Sequence, residues 1–164
     1  STSAGDRFGN SVAISGNYAI VGAIGEDDAA GADSGKAYIF NVTTGALLFT
    51  LHNPNAYGTR DFDYFGYSVA ISGNYAIVGA YTEDDAGGTD SGKAYIFNVT
   101  TGALVHTLNN PTSYGTSAGD NFGISVAISG NYAIVGSIGI EALLPENSVK
   151  YAHSTPQVSL GCFS

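Results

Sequence analysis

The chain is expected to fold as an all-β array of repeated four-stranded antiparallel blades, about three in number, and three features of the sequence carry that expectation. First, Asp6-Arg7-Phe8-Gly9 returns as Asp63-Tyr64-Phe65-Gly66 and again as Asp120-Asn121-Phe122-Gly123, each copy following the last at a spacing of 57 residues without a gap. Second, the apolar runs are short, rich in β-branched and aromatic residues, and bounded by Gly, Asn, Asp and Thr. Third, no segment shows the i, i+3, i+4, i+7 spacing of an amphipathic helix, and the 23 glycines among 164 residues would each cost a helix about 1 kcal/mol relative to Ala. A fixed period of this size marks supersecondary units that cannot bury their apolar faces alone and must stack on neighbours. The units are residues 1–57, 58–114 and 115–164, the last with a divergent C-terminal part.

Within the first unit the strands are expected at 9–15, 18–23, 36–42 and 46–51. Ser15-Gly16-Asn17-Tyr18 places Gly-Asn between two apolar runs, the chemistry of a two-residue hairpin that needs positive φ. Asn41-Val42-Thr43-Thr44-Gly45 ends one run before another begins, with Gly45 free to take the left-handed position. A second hairpin is expected there. The 57-residue shift carries the same strands into the second unit. The third unit decays after Gly136, because Tyr151-Ala152-His153-Ser154 replaces Ala-Tyr-Ile-Phe and Pro156 follows. A modified capping blade and an altered tail both fit that decay.

Both alternation classes of the second strand are apolar, with Tyr18, Ile20 and Gly22 on one side and Ala19, Val21 and Ala23 on the other. Such a sheet is covered on both faces by copies of itself, and small Gly and Ala residues allow the close approach. A β-propeller supplies that geometry. Phe8, Phe65 and Phe122 are read as packing anchors between blades, in equivalent environments. Tyr18, Tyr38, Tyr75, Tyr95 and Tyr132 either pack in the core or offer a hydroxyl to a sugar. Asp6, Asp63 and Asp120 are expected to close turns by accepting backbone N–H bonds.

The string FGxSVAISGNYAIVGAxxEDDAxGxDSGKAYIFNV, read at residues 8–42 and again at 65–99, resembles the FG-GAP repeat of integrin α-subunit-like β-propellers, most closely the bacterial-type variant in which an Ile-Ser-Gly hairpin replaces the calcium loop. The resemblance implies one propeller blade per motif, on an extracellular or cell-surface protein, and implies no activity. Ile24, Tyr81 and Ile138 stand where the family motif has Pro. Ile14-Ser15-Gly16-Asn17-Tyr18 lacks the acidic calcium hairpin, so calcium does not carry over to that position.

The net charge of −9, without a basic cluster, sets the surface against phosphate backbones and excludes nucleic acid as an expected partner. The same charge disfavours anionic membranes, and apolar runs such as 75–80 are too short to insert through a bilayer. Absence of a leading Met or a signal segment reads as a mature or excised product. The single Cys, at 162, fits an extracellular protein that does not rest on disulfides, as either an incidental thiol or an intermolecular link.

The acidic loops concentrate the polar chemistry: Asp27, Asp28 and Asp33 in the first unit, Asp84, Asp85 and Asp90 in the second, with Glu26 and Glu83 beside them. Their oxygens suit Ca²⁺, but a solvated rim that keeps blade ends soluble explains the same residues without an ion. No cofactor is expected; Ca²⁺ is the alternative. Asn41 and Asn98 each open an N-glycosylation sequon. His52, His106 and His153 fall at unmatched positions, so no nucleophile-base pair or metal-ligand spacing is present and catalysis is not expected.

The sequence therefore points to a non-enzymatic extracellular or cell-surface binding or adhesion module. The alternatives are a structural protein that builds an extracellular oligomer or filament, and a glycan-binding, lectin-like propeller. Three blades form an open arc with two apolar end faces, whereas closed propellers use about four to eight blades. Self-association is the expected partner relation, with a longer chain that supplies further blades as the other way to cover those faces. A protein or glycan ligand at the loops remains open.

Overall fold

The computed structural model describes residues 5–29, 31–54, 61–86, 88–111 and 118–138. Ten strands follow in order: β1 (Phe8–Ser15), β2 (Tyr18–Ala23), β3 (Lys36–Asn41), β4 (Leu47–His52), β5 (Ser68–Ser72), β6 (Tyr75–Ala80), β7 (Lys93–Asn98), β8 (Leu104–Asn109), β9 (Ser125–Ser129) and β10 (Tyr132–Gly136). They make two four-stranded antiparallel sheets, ordered β1-β2-β3-β4 and β5-β6-β7-β8, and the hairpin β9-β10. The fold is all β, built of propeller-type blades. The expected weak strand at 151–154, together with Cys162 and His153, lies outside the described residues.

The turns follow from local chemistry. Ser15 pairs with Tyr18 across the first hairpin, and Gly16 alone of the two turn residues takes a left-handed φ, +55°. Asn17 does not share it, contrary to the expectation for the pair; this is the turn that needs Gly only at its first central position. Gly73 and Gly130 repeat it at +54°. At the β3–β4 connection the Asn41 side-chain oxygen accepts from the N–H groups of Thr43 (2.9 Å) and Thr44 (3.0 Å). That Asx capping takes the chain out of the strand at Asn41, one residue before the expected end.

Stacking follows one rule. The face of the first blade that carries Ile20, Ala37, Ile39 and Leu51 packs on the face of the second that carries Phe65, Val69, Ile71, Val78, Tyr95 and Phe97. The opposite face of the second blade, with Ile77, Ala94 and Ile96, packs on Phe122 and the β9–β10 hairpin. Polar contacts set the register of each joint. Ser15 Oγ accepts from Gly73 N at 3.2 Å and Ser72 Oγ from Gly130 N at 3.0 Å. Asn53 donates its amide to Asp63 at 2.7 Å, and Asn110 repeats this with Asp120 at 2.8 Å. Asp63 and Asp120 therefore latch their repeats to the previous one, a longer-range role beside the turn closure expected of them. Gly22 is required at the first joint, because a Cβ there would lie 2.0 Å from the Gly66 carbonyl oxygen.

One expectation needs correction. Phe8 and Phe65 keep the same company within their blades: Phe8 lies 5.6 Å from Tyr38 and 6.3 Å from Phe40, Phe65 lies 5.8 Å from Tyr95 and 6.0 Å from Phe97. Their exposure differs, at 59% for Phe8 and 0% for Phe65. Among the described residues no other repeat lies against the first blade's face, so an equivalent motif yields an open surface there and a closed joint one repeat later.

Candidate functional site

The antiparallel order puts the Gly16 and Gly45 turns at one end of a blade. The acidic β2–β3 loop and the following FG motif lie at the other. At that second end the loop and the next repeat share backbone bonds: Phe62 N donates to Ala32 O at 2.9 Å, and Phe65 N to Ser34 O at 3.0 Å. The loop residues are thus part of the joint.

The acidic side chains are engaged in shaping their own loops. Asp27 Oδ1 accepts from Asp33 N at 2.9 Å, Asp84 Oδ1 from Asp90 N at 2.9 Å, and Asp28 Oδ1 from Gly31 N at 3.1 Å. Asp85 forms a β-bridge with Gly88, as Asp28 does with Gly31. Asp33 and Asp90 sit at φ of +48° and +53°, a conformation that Asp tolerates better than most residues. Among the described residues no three His, Cys, Asp or Glu side chains gather closely enough to hold a metal ion.

Glu26 and Glu83 anchor a network that the sequence reading did not single out. Glu26 takes a Lys36 ammonium bond on one oxygen (3.0 Å) and the Tyr38 hydroxyl on the other (2.8 Å). Partial burial raises its pKa, but the hydrogen bonds from Lys36 and Tyr38, with the Lys36 charge, outweigh this and hold it below its ordinary value. Glu83 receives Lys93 (2.6 Å) and Tyr95 (2.5 Å) on the same oxygen, Oε1, while Oε2 is buried with no hydrogen bond. Desolvation dominates here and raises the carboxyl despite the lowering influence of Lys93, Tyr95 and Asn53.

The sequon residues Asn41 and Asn98 occupy equivalent turns at the opposite end, beside exposed threonines. Asn98 Oδ1 accepts from Thr100 N at 2.8 Å, so its carbonyl shapes the turn as that of Asn41 does. His52 and His106 are exposed and stand apart in sequence from any repeated acid or hydroxyl pairing.

A family model of the FG-GAP repeat matches residues 2–40, 56–97 and 112–148. The chain belongs to the FG-GAP repeat family. A search of curated proteins gave no match. Repeats of this family form propeller-type modules, often extracellular and often binding modules.

Beside the joint of the first two FG-GAP repeats lies a cluster of rings that sequence reading missed. Tyr64 and Tyr81 lie 6.0 Å apart with their planes within 16°, Tyr67 sits 4.3 Å from Tyr81, and Phe62 lies 6.3 Å from Tyr64. Burial raises the Tyr81 hydroxyl pKa, and the Tyr67 and Tyr64 hydroxyls add to it. None of these four is among the strand tyrosines and FG phenylalanines that stand out by repetition. Their signal is the reverse, an aromatic residue in one copy only.

Proposed function

We propose that this chain is a non-enzymatic, extracellular or cell-surface binding and adhesion module that self-associates through its blade faces. The supporting observation is an exposed face that the repeat itself shows how to cover. Ile14 is 68% exposed, whereas its copy Ile71, lying under the first blade, is 8% exposed. The complementary face recurs on the third repeat, where Ile134 is 61% exposed and its copy Ile77 is fully buried. A head-to-tail contact would place a face like that of Ile77 on a face like that of Ile71. It would also offer Gly16 N the Ser129 hydroxyl, as Ser15 and Ser72 serve Gly73 and Gly130.

Such a contact is heterologous, so its rotation per chain decides between a closed ring and an open filament. The filament reading uses the same faces, and negative-stain microscopy separates it from a ring. Light scattering tests the proposal: a mass of at least two chains at micromolar concentration is expected, and a strict monomer overturns it. The acidic loops are held to be structural, so thermal melts with Ca²⁺ and with a chelator are expected to coincide; a rise in melting temperature with Ca²⁺ would assign them an ion.

A further inference from the structure

The second repeat departs from its neighbours as a set. Where the first and third repeats both have Ser-Ala-Gly before the motif Asp (residues 3–5 and 117–119), the second has Arg60-Asp61-Phe62; where they have Ile24-Gly25 and Ile138-Gly139, it has Tyr81-Thr82. Tyr64 replaces Arg7 and Asn121, and Tyr67 replaces Asn10 and Ile124. Two of the changes are coupled. A Cβ on Gly25 would lie 2.0 Å from the Gly5 carbonyl oxygen, so a side chain at that position needs a different loop. In the second repeat Thr82 Oγ1 instead donates to the Phe62 carbonyl at 2.6 Å.

This arrangement runs against local stability. Phe62 has φ +62° and is 53% exposed, at a position where the other repeats use Gly. Tyr64 has φ +51°. A bulky residue such as Phe62 in the left-handed region, with its ring more than half exposed, costs energy, and such strain gathers at binding sites. The backbone that carries two of the rings is also braced: Asn10 donates to the Tyr67 main-chain carbonyl at 3.1 Å and Asn121 to that of Tyr81 at 3.2 Å. The fold itself does not need aromatic residues at these positions, since its other copies stack without them.

We propose that Phe62, Tyr64, Tyr67 and Tyr81 form a platform for a neutral oligosaccharide. The negative faces of near-parallel tyrosines attract the polarised C–H bonds on the apolar face of a pyranose ring, while phenol hydroxyls serve the sugar's own. Exposed Asp61, Asp90 and Arg7 at the rim supply both acceptors and donors for further hydroxyls. Four rings in a polar frame are far smaller than the roughly 800 Å² per partner that a stable protein interface takes.

This inference rests on the binding-module reading and names its ligand class. The test is calorimetric titration of the whole chain with maltohexaose, cellohexaose and chitohexaose. The comparison is a variant that carries the third repeat's residues, Phe62→Gly, Tyr64→Asn, Tyr67→Ile, Tyr81→Ile and Thr82→Gly. The original chain is expected to bind at least one of the three sugars, and the variant at least tenfold more weakly, with unchanged circular dichroism. Tyr81→Ile alone, which installs the residue found at 24 and 138, serves as the test should the fivefold variant not fold; it too should weaken binding several-fold. No heat with any of the three sugars, or binding by the variants within twofold of the original, overturns the proposal. Light scattering on the same samples keeps the two readings apart. The variants leave the blade faces intact and should keep the original mass, whereas sugar binding by a strict monomer would overturn self-association alone.

Discussion

Strands β2 and β3 of the first repeat and β6 and β7 of the second have identical sequences, Tyr-Ala-Ile-Val-Gly-Ala and Lys-Ala-Tyr-Ile-Phe-Asn, yet they live in different surroundings. In the second repeat every residue from Ala76 to Ala80 and from Lys93 to Phe97 is buried; in the first, Val21, Tyr38 and Phe40 remain partly open. The difference reaches the chemistry. Glu26 and Glu83 have the same partners, but partial exposure leaves the first below its ordinary pKa and full burial drives the second above it. What a residue experiences here is set by whether a neighbouring repeat lies on its face.

The FG phenylalanines test that difference most strongly. Phe65→Ala should cost about 3–5 kcal/mol, as large-to-small changes of buried aromatics do. Phe8→Ala, measured on single chains in which no second copy covers the face, should cost about 1 kcal/mol or less in denaturant unfolding, because its ring is more than half exposed. Equal losses at the two positions would contradict the assignment of the open face.

A smaller effect is expected at the joint glycines. Gly22→Ala forces a Cβ against the Gly66 carbonyl oxygen, a backbone atom with little freedom to give way, and should destabilise by about 1–3 kcal/mol. In single chains Gly136→Ala meets mainly the Ser125 hydroxyl, 2.3 Å away at the end of a side chain that can rotate. It should cost less, and melting temperatures of the pair measure the gap.

The smallest effects are in the pH profile, and they have opposite signs. Glu26, with a lowered pKa, contributes stability that is present above the usual glutamate value of 4.5 and is lost as pH falls through its folded value. Glu83, with a raised pKa, contributes stability that is present below 4.5 and is lost as pH rises through its folded value. Glu26→Gln should therefore flatten the acid side of the stability profile, and Glu83→Gln the decline above 4.5. Denaturant midpoints across pH 3 to 8 read both, and two profiles that flatten on the same side would contradict the contrast.

The strands were legible because the 57-residue period places every turn residue three times or twice, and Gly16, Asn41 and Gly45 act through local backbone chemistry that sequence states directly. The blade faces were legible as a pattern but not in their occupancy: Phe8 and Phe65 read alike, and only the stacking shows which is covered. Asp63 reads in sequence as a local turn former because its partner, Asn53, belongs to the preceding repeat. The ring cluster was missed for a different reason. Repetition draws attention to Phe8, Phe65 and Phe122, which the fold uses, whereas Phe62 and Tyr81 are visible only as departures from the copies on either side.

The central claim, that one blade face is made to be covered by another, is tested most directly by light scattering on the original chain and on Ile14→Asp. That side chain is well exposed, so the substitution should leave the fold intact while placing a charge in the middle of the proposed contact. The expected result is a mass of two or more chains for the original and of one chain for the variant at the same micromolar concentration. A single-chain mass for the original, or an assembly that Ile14→Asp leaves unchanged, would contradict the account.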